Sequence, residues 1–251
     1  MKTIAMVTGA SKGLGLALAE QLARECDTLI TVARQRHVHS VSDIASHSAC
    51  QHIHYAADLS DMAQVTALCK KLNTILQTPV QRYLLINNAG TLGPVAQYHG
   101  LESSLSAQIA QTFNLNIAAV ITLTSHFLTL CEQHNNAKVQ VINISSGAAR
   151  NAYPGWGVYC ASKAALDRYS EVAQLEAPFA QIVSLAPGVI DTDMQANIRS
   201  SNEKDFPNLQ RFKDLHANQA LSSTTETAQK ILAYSQRADF GQQTLSDIRL
   251  I

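Results

Sequence analysis

The sequence predicts an α/β fold with one doubly wound parallel sheet of about seven strands and helices on both faces. Three observations lead there. Short apolar segments alternate with helical patterns along all 251 residues. A glycine-rich turn, Gly9 to Gly15, lies between the first apolar segment and a helical pattern. The length suits one large α/β domain better than two small ones, and no repeat, linker or low-complexity tract divides it. A single domain over residues 1–251 is therefore expected.

Thr3–Val7 is short, apolar and β-branched, as a buried parallel strand should be. Leu16–Glu25 reads as a helix with Leu18 and Leu22 on its apolar side. Thr28–Val32 and Gln51–Ala56 are the next strands, the latter running on to Asp58-Leu59. Val65, Leu68, Leu72 and Ile75 recur at helical spacing over Met62–Leu76. The strand Tyr83–Ile86 leads into Asn87-Asn88-Ala89-Gly90, and Leu105–Glu132 reads as one long apolar helix. The strand Val139–Ile144 ends at Ser145-Ser146-Gly147, and a helix runs from near Gly157 to Glu176. Ile182–Leu185 is a strand ended by Pro187-Gly188. Residues 190–222 are polar and irregular, with a helix inside; such a segment is either a lid over a site or a plain surface excursion. A helix over Thr225–Ser235 and a short strand near Gln243–Ser246 close the pattern.

Composition narrows the function classes. Lys plus Arg number 19 and Asp plus Glu 19, a balance that argues against nucleic acid or an anionic membrane as the main partner. A 46% hydrophobic and 15% charged chain has enough apolar material for a packed core. No run approaches the roughly 18 consecutive apolar residues of a membrane span, and no cleavable apolar segment precedes the first strand, so the cytoplasm is the expected location. Cys26, Cys50, Cys69, Cys131 and Cys160 are scattered without a C-x-x-C pair, which fits reduced, mostly buried thiols. The H-x-H pairs His37/His39 and His52/His54 have no further ligands nearby in sequence, and no metal site is expected.

The turn Gly9-Ala10-Ser11-Lys12-Gly13-Leu14-Gly15 has the setting of a pyrophosphate cradle. Glycines let the backbone approach a phosphate, and the helix that follows offers free N–H groups and a positive dipole end. A plain tight turn is the alternative; the strand before it and the helix after it favour the cradle. An NAD-binding site holds the ribose 2′-hydroxyl with a carboxylate at the end of the second strand. Here that strand ends Thr31-Val32-Ala33-Arg34, with Lys12 inside the glycine turn. Two cations and no acid favour a 2′-phosphate, hence NADP(H), although either could be an ordinary surface charge.

Tyr159 and Lys163 are four residues apart, on one face of the predicted helix. A phenol titrates near 10, too high for proton transfer at neutral pH. A neighbouring ammonium favours the phenolate, so the pair is expected to form an acid/base with a lowered tyrosine pKa. Ser146 stands at the C-terminal end of a strand, where open α/β sheets bind ligands, and its hydroxyl can hydrogen-bond a carbonyl oxygen.

With the motifs T-G-x-x-x-G-x-G, N-N-A-G and S…Y-x-x-x-K in this order and spacing, the chain resembles the short-chain dehydrogenase/reductase family over essentially its whole length. The resemblance implies a Rossmann-like NADP(H) domain in which Tyr159 donates the proton, Lys163 lowers its pKa and holds the nicotinamide ribose, and Ser146, rather than Ser145, polarises the carbonyl. Asn116 would anchor a proton-relay water. Asn88, Ala89 and Gly90 would line the cofactor, Asp58 and Leu59 would meet the adenine, and Pro187, Gly188 and Thr192 would lie near the carboxamide. The second half, Pro154–Ala161 with Ala186-Pro187-Gly188 and Asp191–Gln195, is similar to sepiapterin and benzil reductases. Asp247 matches an aspartate that grips the pterin in sepiapterin reductases; the usual glycine pair after that aspartate is replaced by Ile248-Arg249. Tyr153, Trp156 and Phe206 form either a wall for a bulky planar ketone or local packing. The helices Leu105–Glu132 and Gly157–Glu176 resemble the family's subunit interface, so a homodimer is expected, with a tetramer as the alternative.

Three functions fit. The first is NADPH-dependent reduction of a ketone or diketone resembling benzil or sepiapterin. The second is reduction of another small molecule, such as a sugar, a steroid or a 3-oxoacyl thioester. The third is a non-catalytic NADPH sensor, which would have no need to keep Ser146, Tyr159, Lys163 and Asn116 together.

Overall fold

The structure is a computed structural model that describes residues 1–35 and 39–251, without the side chain of His39. Its frame is a seven-stranded, all-parallel sheet in the order β3-β2-β1-β4-β5-β6-β7. The strands are β1 (Thr3–Thr8), β2 (Thr28–Ala33), β3 (Gln51–Ala56), β4 (Arg82–Asn87), β5 (Lys138–Ile144), β6 (Ala180–Ala186) and β7 (Leu245–Asp247). The helices are α1 (Gly13–Glu25), α2 (His39–His47), α3 (Met62–Leu76), α4 (Ser106–Phe113), α5 (Ala119–Cys131), α6 (Gly157–Glu176), α7 (Asp193–Arg199), α8 (Leu209–Ala217) and α9 (Thr224–Gln236).

The period of two along each strand sorts residues between the faces. Ala5 and Val7 pack with Leu18 and Leu22 of α1 and Ile231 of α9. Ile4 and Met6 pack on the other face with Leu68 and Leu72 of α3 and Phe127 of α5. Both faces are apolar, which is why the central strands read as near-continuous hydrophobic runs. Between β1 and β4 the direction of chain progression across the sheet reverses, and the loops after the two strands diverge to leave a crevice at their C-terminal ends.

Several elements differ from the sequence expectation. α2 follows β2 where no helix was expected; its apolar contribution to the core, Val41 and Ala45, is too sparse to stand out by periodicity. The expected helix over Leu105–Glu132 is broken by a π turn at Asn114–Ala118. Taken with its first turn, Ser103–Cys131 has the length and apolarity of a membrane span; in this fold Leu123 and Phe127 bury one side of it against the sheet. Residues 190–222 hold two helices, α7 and α8, rather than one. The last strand is Leu245–Asp247, a residue or two later than expected.

The side chains with other expectations on them have structural uses. His52 and His54 both bond the Thr31 hydroxyl, at 2.8 and 2.9 Å, across the β2–β3 pair; His37 and the side chain of His39 lie outside the described residues. No cysteine is in a disulfide; Cys160 is half-buried and the other four are buried.

Phe127 is 1% exposed and fixes α5 to the sheet. Phe127→Ala is expected to cost about 3–5 kcal/mol of unfolding free energy, because the cavity it leaves has rigid walls; equilibrium urea unfolding measures this.

Candidate active site

The crevice opens into a cleft of about 1240 Å³ running from the Gly9–Gly15 turn to the start of α6 and the segment bearing α7 and α8. Hydrogen bonds between the loops after β1 and β4 shape its floor. The Thr8 hydroxyl accepts from the amides of Asn88 and Ala89, both at 3.0 Å, while Asn88 Nδ2 donates to the Thr8 carbonyl at 3.0 Å. Gly9 has φ of 67°, and a Cβ there would come within 2.9 Å of Ala89 Cα. At Gly15 a Cβ would overlap the Gly9 carbonyl. The glycines are therefore required by the closeness of two backbones, apart from any ligand.

No side chain caps the N-terminus of α1. Its free donors and dipole face the cleft, as an anion-binding turn requires. Ser11, Lys12, Gly13, Leu14 and Arg34 line this end, with Arg34 exposed just past β2. Asp58, Leu59, Ala89 and Gly90 line the next stretch, and Pro187, Gly188 and Thr192 the opposite wall. The length of this lining and the uncapped start of α1 suit an elongated dinucleotide. Lys12 pairs with Asp193 of α7 at 2.7 Å; both side chains are about 70% exposed, so solvent screens the pair and a phosphate could displace Asp193.

At the far end three residues on one face of α6 meet the end of β5. Tyr159 and Ser146 both line the cleft, close enough for the serine hydroxyl to work against the rise in the phenol's pKa. One turn on, Lys163 Nζ donates to the Ile144 carbonyl at 2.7 Å. After another turn, Asp167 accepts from the Ser145 hydroxyl at 2.6 Å. Both adjacent serines line the cleft; the Ser145 hydroxyl is committed to Asp167, whereas the Ser146 hydroxyl accepts from the Ala148 amide, at 3.1 Å. Asn116, within the π turn, is wholly buried; its side chain bonds both the amide and the carbonyl of Thr91 at 2.9 Å and the Ser162 hydroxyl at 2.9 Å. It braces the Gly90–Thr91 corner against α6 and does not line the cleft.

The electrostatics correct one expectation. Burial pushes the Tyr159 phenol above its ordinary value, with the Ser146 hydroxyl offsetting part of the rise. Burial also pulls Lys163 down to about 8, with Asp167 working against it. In the protein alone, burial therefore outweighs any lowering of the phenol by Lys163. The pair is a buried phenol held protonated beside a titratable cation.

The substrate end differs from expectation in two ways. Phe206 does not line the cleft: it is fully buried, stacked on Trp156 at 4.5 Å with 9° between the rings. Trp156 reaches the cleft with an edge only, being 5% exposed, and Tyr153 leans on it at 5.3 Å. Asp247 does not line it either; both carboxylate oxygens bond Arg249, at 2.9 and 2.5 Å, and Arg249 presents to the cleft. Met194, Phe212 and Arg249 are lining residues that the sequence reading missed. Only the first two sat in the segment suspected as a lid.

Comparisons agree with this geometry. Residues 3–203 match the short chain dehydrogenase family. The chain is 35% identical over 243 residues to a benzil reductase ((S)-benzoin forming) of Bacillus cereus, covering 94% of this chain and 95% of that protein. It is 34% identical over 247 residues to the sepiapterin reductase of Mus musculus, covering 94% and 93%. The crystal structure of the KRED1-Pglu enzyme superposes with a TM-score of 0.80 at 28% identity over 97% of this chain and 99% of that one. The glycine turn, the Asn-Asn-Ala-Gly corner and the serine, tyrosine and lysine gathered at one cleft, with relatives matched end to end, make this chain a member of the short-chain dehydrogenase family of oxidoreductases acting on carbonyl and alcohol groups.

Proposed function

We propose that the protein is an NADPH-dependent reductase of bulky, flat ketones or diketones, with a benzil-like substrate favoured over a pterin. The observation that carries this reading is the gathering of Ser146, Tyr159 and Lys163 at one end of a cleft whose other end is a cationic phosphate cradle. NADPH supplies the hydride. The chain's residues bind, orient and protonate: Ser146 hydrogen-bonds the ketone oxygen, and Tyr159, kept protonated by burial, gives its proton to that oxygen as charge develops. Lys163 holds the ribose hydroxyls and stabilises the phenolate left behind. Arg34 and Lys12 hold the 2′-phosphate.

Met194, Phe212, Tyr153 and the edge of Trp156 give the substrate end an apolar lining suited to aromatic rings. The similarity to both benzil and sepiapterin reductases supports a conjugated carbonyl substrate. Asp247 pairs with Arg249 through both oxygens and does not line the cleft, so gripping the amino-pyrimidine edge of a pterin would need it to turn away from that partner, which favours the diketone. The α7–α8 segment acts as the lid of one catalytic domain. Ile121, Val172, Leu175 and Phe179, apolar and exposed on and beside α5 and α6, support a homodimer through those helices, and the free thiols suit the cytoplasm.

The direct test is NADPH oxidation against benzil, sepiapterin and an acetoacetyl thioester, with NADH in parallel. Turnover of benzil with NADPH and little with NADH is expected. Tight NADPH binding with no turnover of any ketone would instead favour a sensor. Tyr159→Phe is expected to lower kcat by roughly 10²–10⁴-fold with NADPH affinity nearly unchanged. Turnover equal to the parent would remove Tyr159 as the acid. Arg34→Asp is expected to weaken NADPH much more than NADH, measured as separate dissociation constants; equal losses would place the 2′-phosphate elsewhere.

A further inference from the structure

Asp167 is a buried carboxylate with no part in the chemistry described so far. It is 5% exposed, and both its oxygens are engaged: Oδ1 accepts from the hydroxyls of Ser145 and Ser184, both at 2.6 Å, and Oδ2 from Arg150 Nε at 2.9 Å. Arg150 reaches on to the carbonyls of Ser246 at 3.3 Å and Ser184 at 3.4 Å. One ion pair thus joins α6, the ends of β5 and β6, β7 and the turn after Ser146.

Burying the Asp167 carboxylate costs desolvation, which its two serine partners and Arg150, itself about a third exposed, offset. The position of the carboxylate suggests what it does here. Tyr159, Lys163 and Asp167 follow one another at one-turn spacing and meet Ser146, Ile144 and Ser145. Loss of the third contact would let α6 slide or roll against the strand end. Among the described residues, the ionisable groups around Lys163 are Tyr159, its ring centroid 5.9 Å from Nζ, and Asp167 on its own helix, with Arg150 behind Asp167. Ile144 from β5 and Asn116 from the π turn offer only uncharged dipoles.

We propose that Asp167 is a positioning residue for the acid/base pair: it fixes α6 in register with the end of β5, and its buried charge, moderated by Arg150, supports the Lys163 ammonium in the cleft. The proposal rests on the reading of Tyr159 and Lys163 as the working pair. It is consistent with the direction in which Asp167 acts on Lys163, against the burial that pulls the ammonium down to about 8.

Loss of the carboxylate and loss of its cation are expected to move Lys163 in opposite directions, which gives the test. In Asp167→Asn, size is retained and the charge lost. kcat for ketone reduction is expected to fall roughly tenfold with KM and NADPH affinity little changed. The alkaline limb of kcat/KM should move to lower pH by about one unit. In Arg150→Gln the opposing cation is lost, and the limb should move to higher pH. Asp167→Glu should return the limb toward its original position. Loosening of the junction would displace both variants the same way, or neither.

Labelling of Lys163 by an amine-reactive anhydride across pH, read by mass spectrometry, follows the same titration without any substrate. A limb and a labelling midpoint unmoved in Asp167→Asn, or moved the same way in both variants, would overturn the proposal. Should Asp167→Asn fail to fold, a limb unmoved or lowered in Arg150→Gln overturns it alone. Opposite labelling shifts in a protein that reduces no ketone would uphold the charge coupling and refute the assigned activity instead.

Discussion

When α6 lies across the end of β5, a helix with a residue every 100° meets a strand with a residue every 3.3 Å or so, and only one register brings matched groups together. Here that register sets Tyr159 against Ser146 and Lys163 against Ile144. A displacement of one helical residue would turn the phenol from the cleft into the core. The sheet supplies the fixed side of this contact. β5 is central, paired with β4 and β6 over most of its length, so its end cannot move without the sheet. Chemistry at the mouth of the cleft therefore depends on packing well below it.

The same logic runs through the cofactor end. The cradle is formed by two loops that leave neighbouring parallel strands and are tied to each other through Thr8 and Asn88. The strands fix where the loops start; the cross-bonds fix how far they diverge. Glycine is needed where the backbones come closest, and the same nearness leaves N–H groups of α1 facing open space. A polar crevice with preset donors binds phosphate with little reorganisation, which is what a site that must release its cofactor each cycle needs.

The parts legible in the sequence were those set by local pattern. Sheet strands showed as apolar β-branched runs because both faces are covered, and the glycine turn and the Tyr159–Lys163 spacing are local statements about one turn or one helix face. What lay hidden depends on contacts distant in sequence. Phe206 could have been part of a substrate wall or local packing; it stacks on Trp156, fifty residues earlier in the chain, and is buried there. The π turn at Asn114–Ala118 leaves no trace in an apolar periodicity, since one extra residue shifts the face without changing composition. Asp167 was visible in principle, because Y-x-x-x-K-x-x-x-D places it on the same helix face. Its importance becomes apparent only once Ser145, Ser184 and Arg150 converge on it.

Electrostatics shows the same division. From spacing, a lysine one turn from a tyrosine reads as a device for lowering the phenol's pKa. Depth reverses the balance: the cleft buries both groups, so each is pushed toward its neutral form, the phenol upward and the ammonium downward. Under the proposed reduction that bias is useful, since an acid must enter the step carrying its proton. The requirement then passes to Lys163, which has to keep its charge in a site that disfavours it. A buried carboxylate one turn further along the helix is the simplest counterweight the fold can offer, and it shares its second oxygen with Arg150 while the ammonium donates to the Ile144 carbonyl.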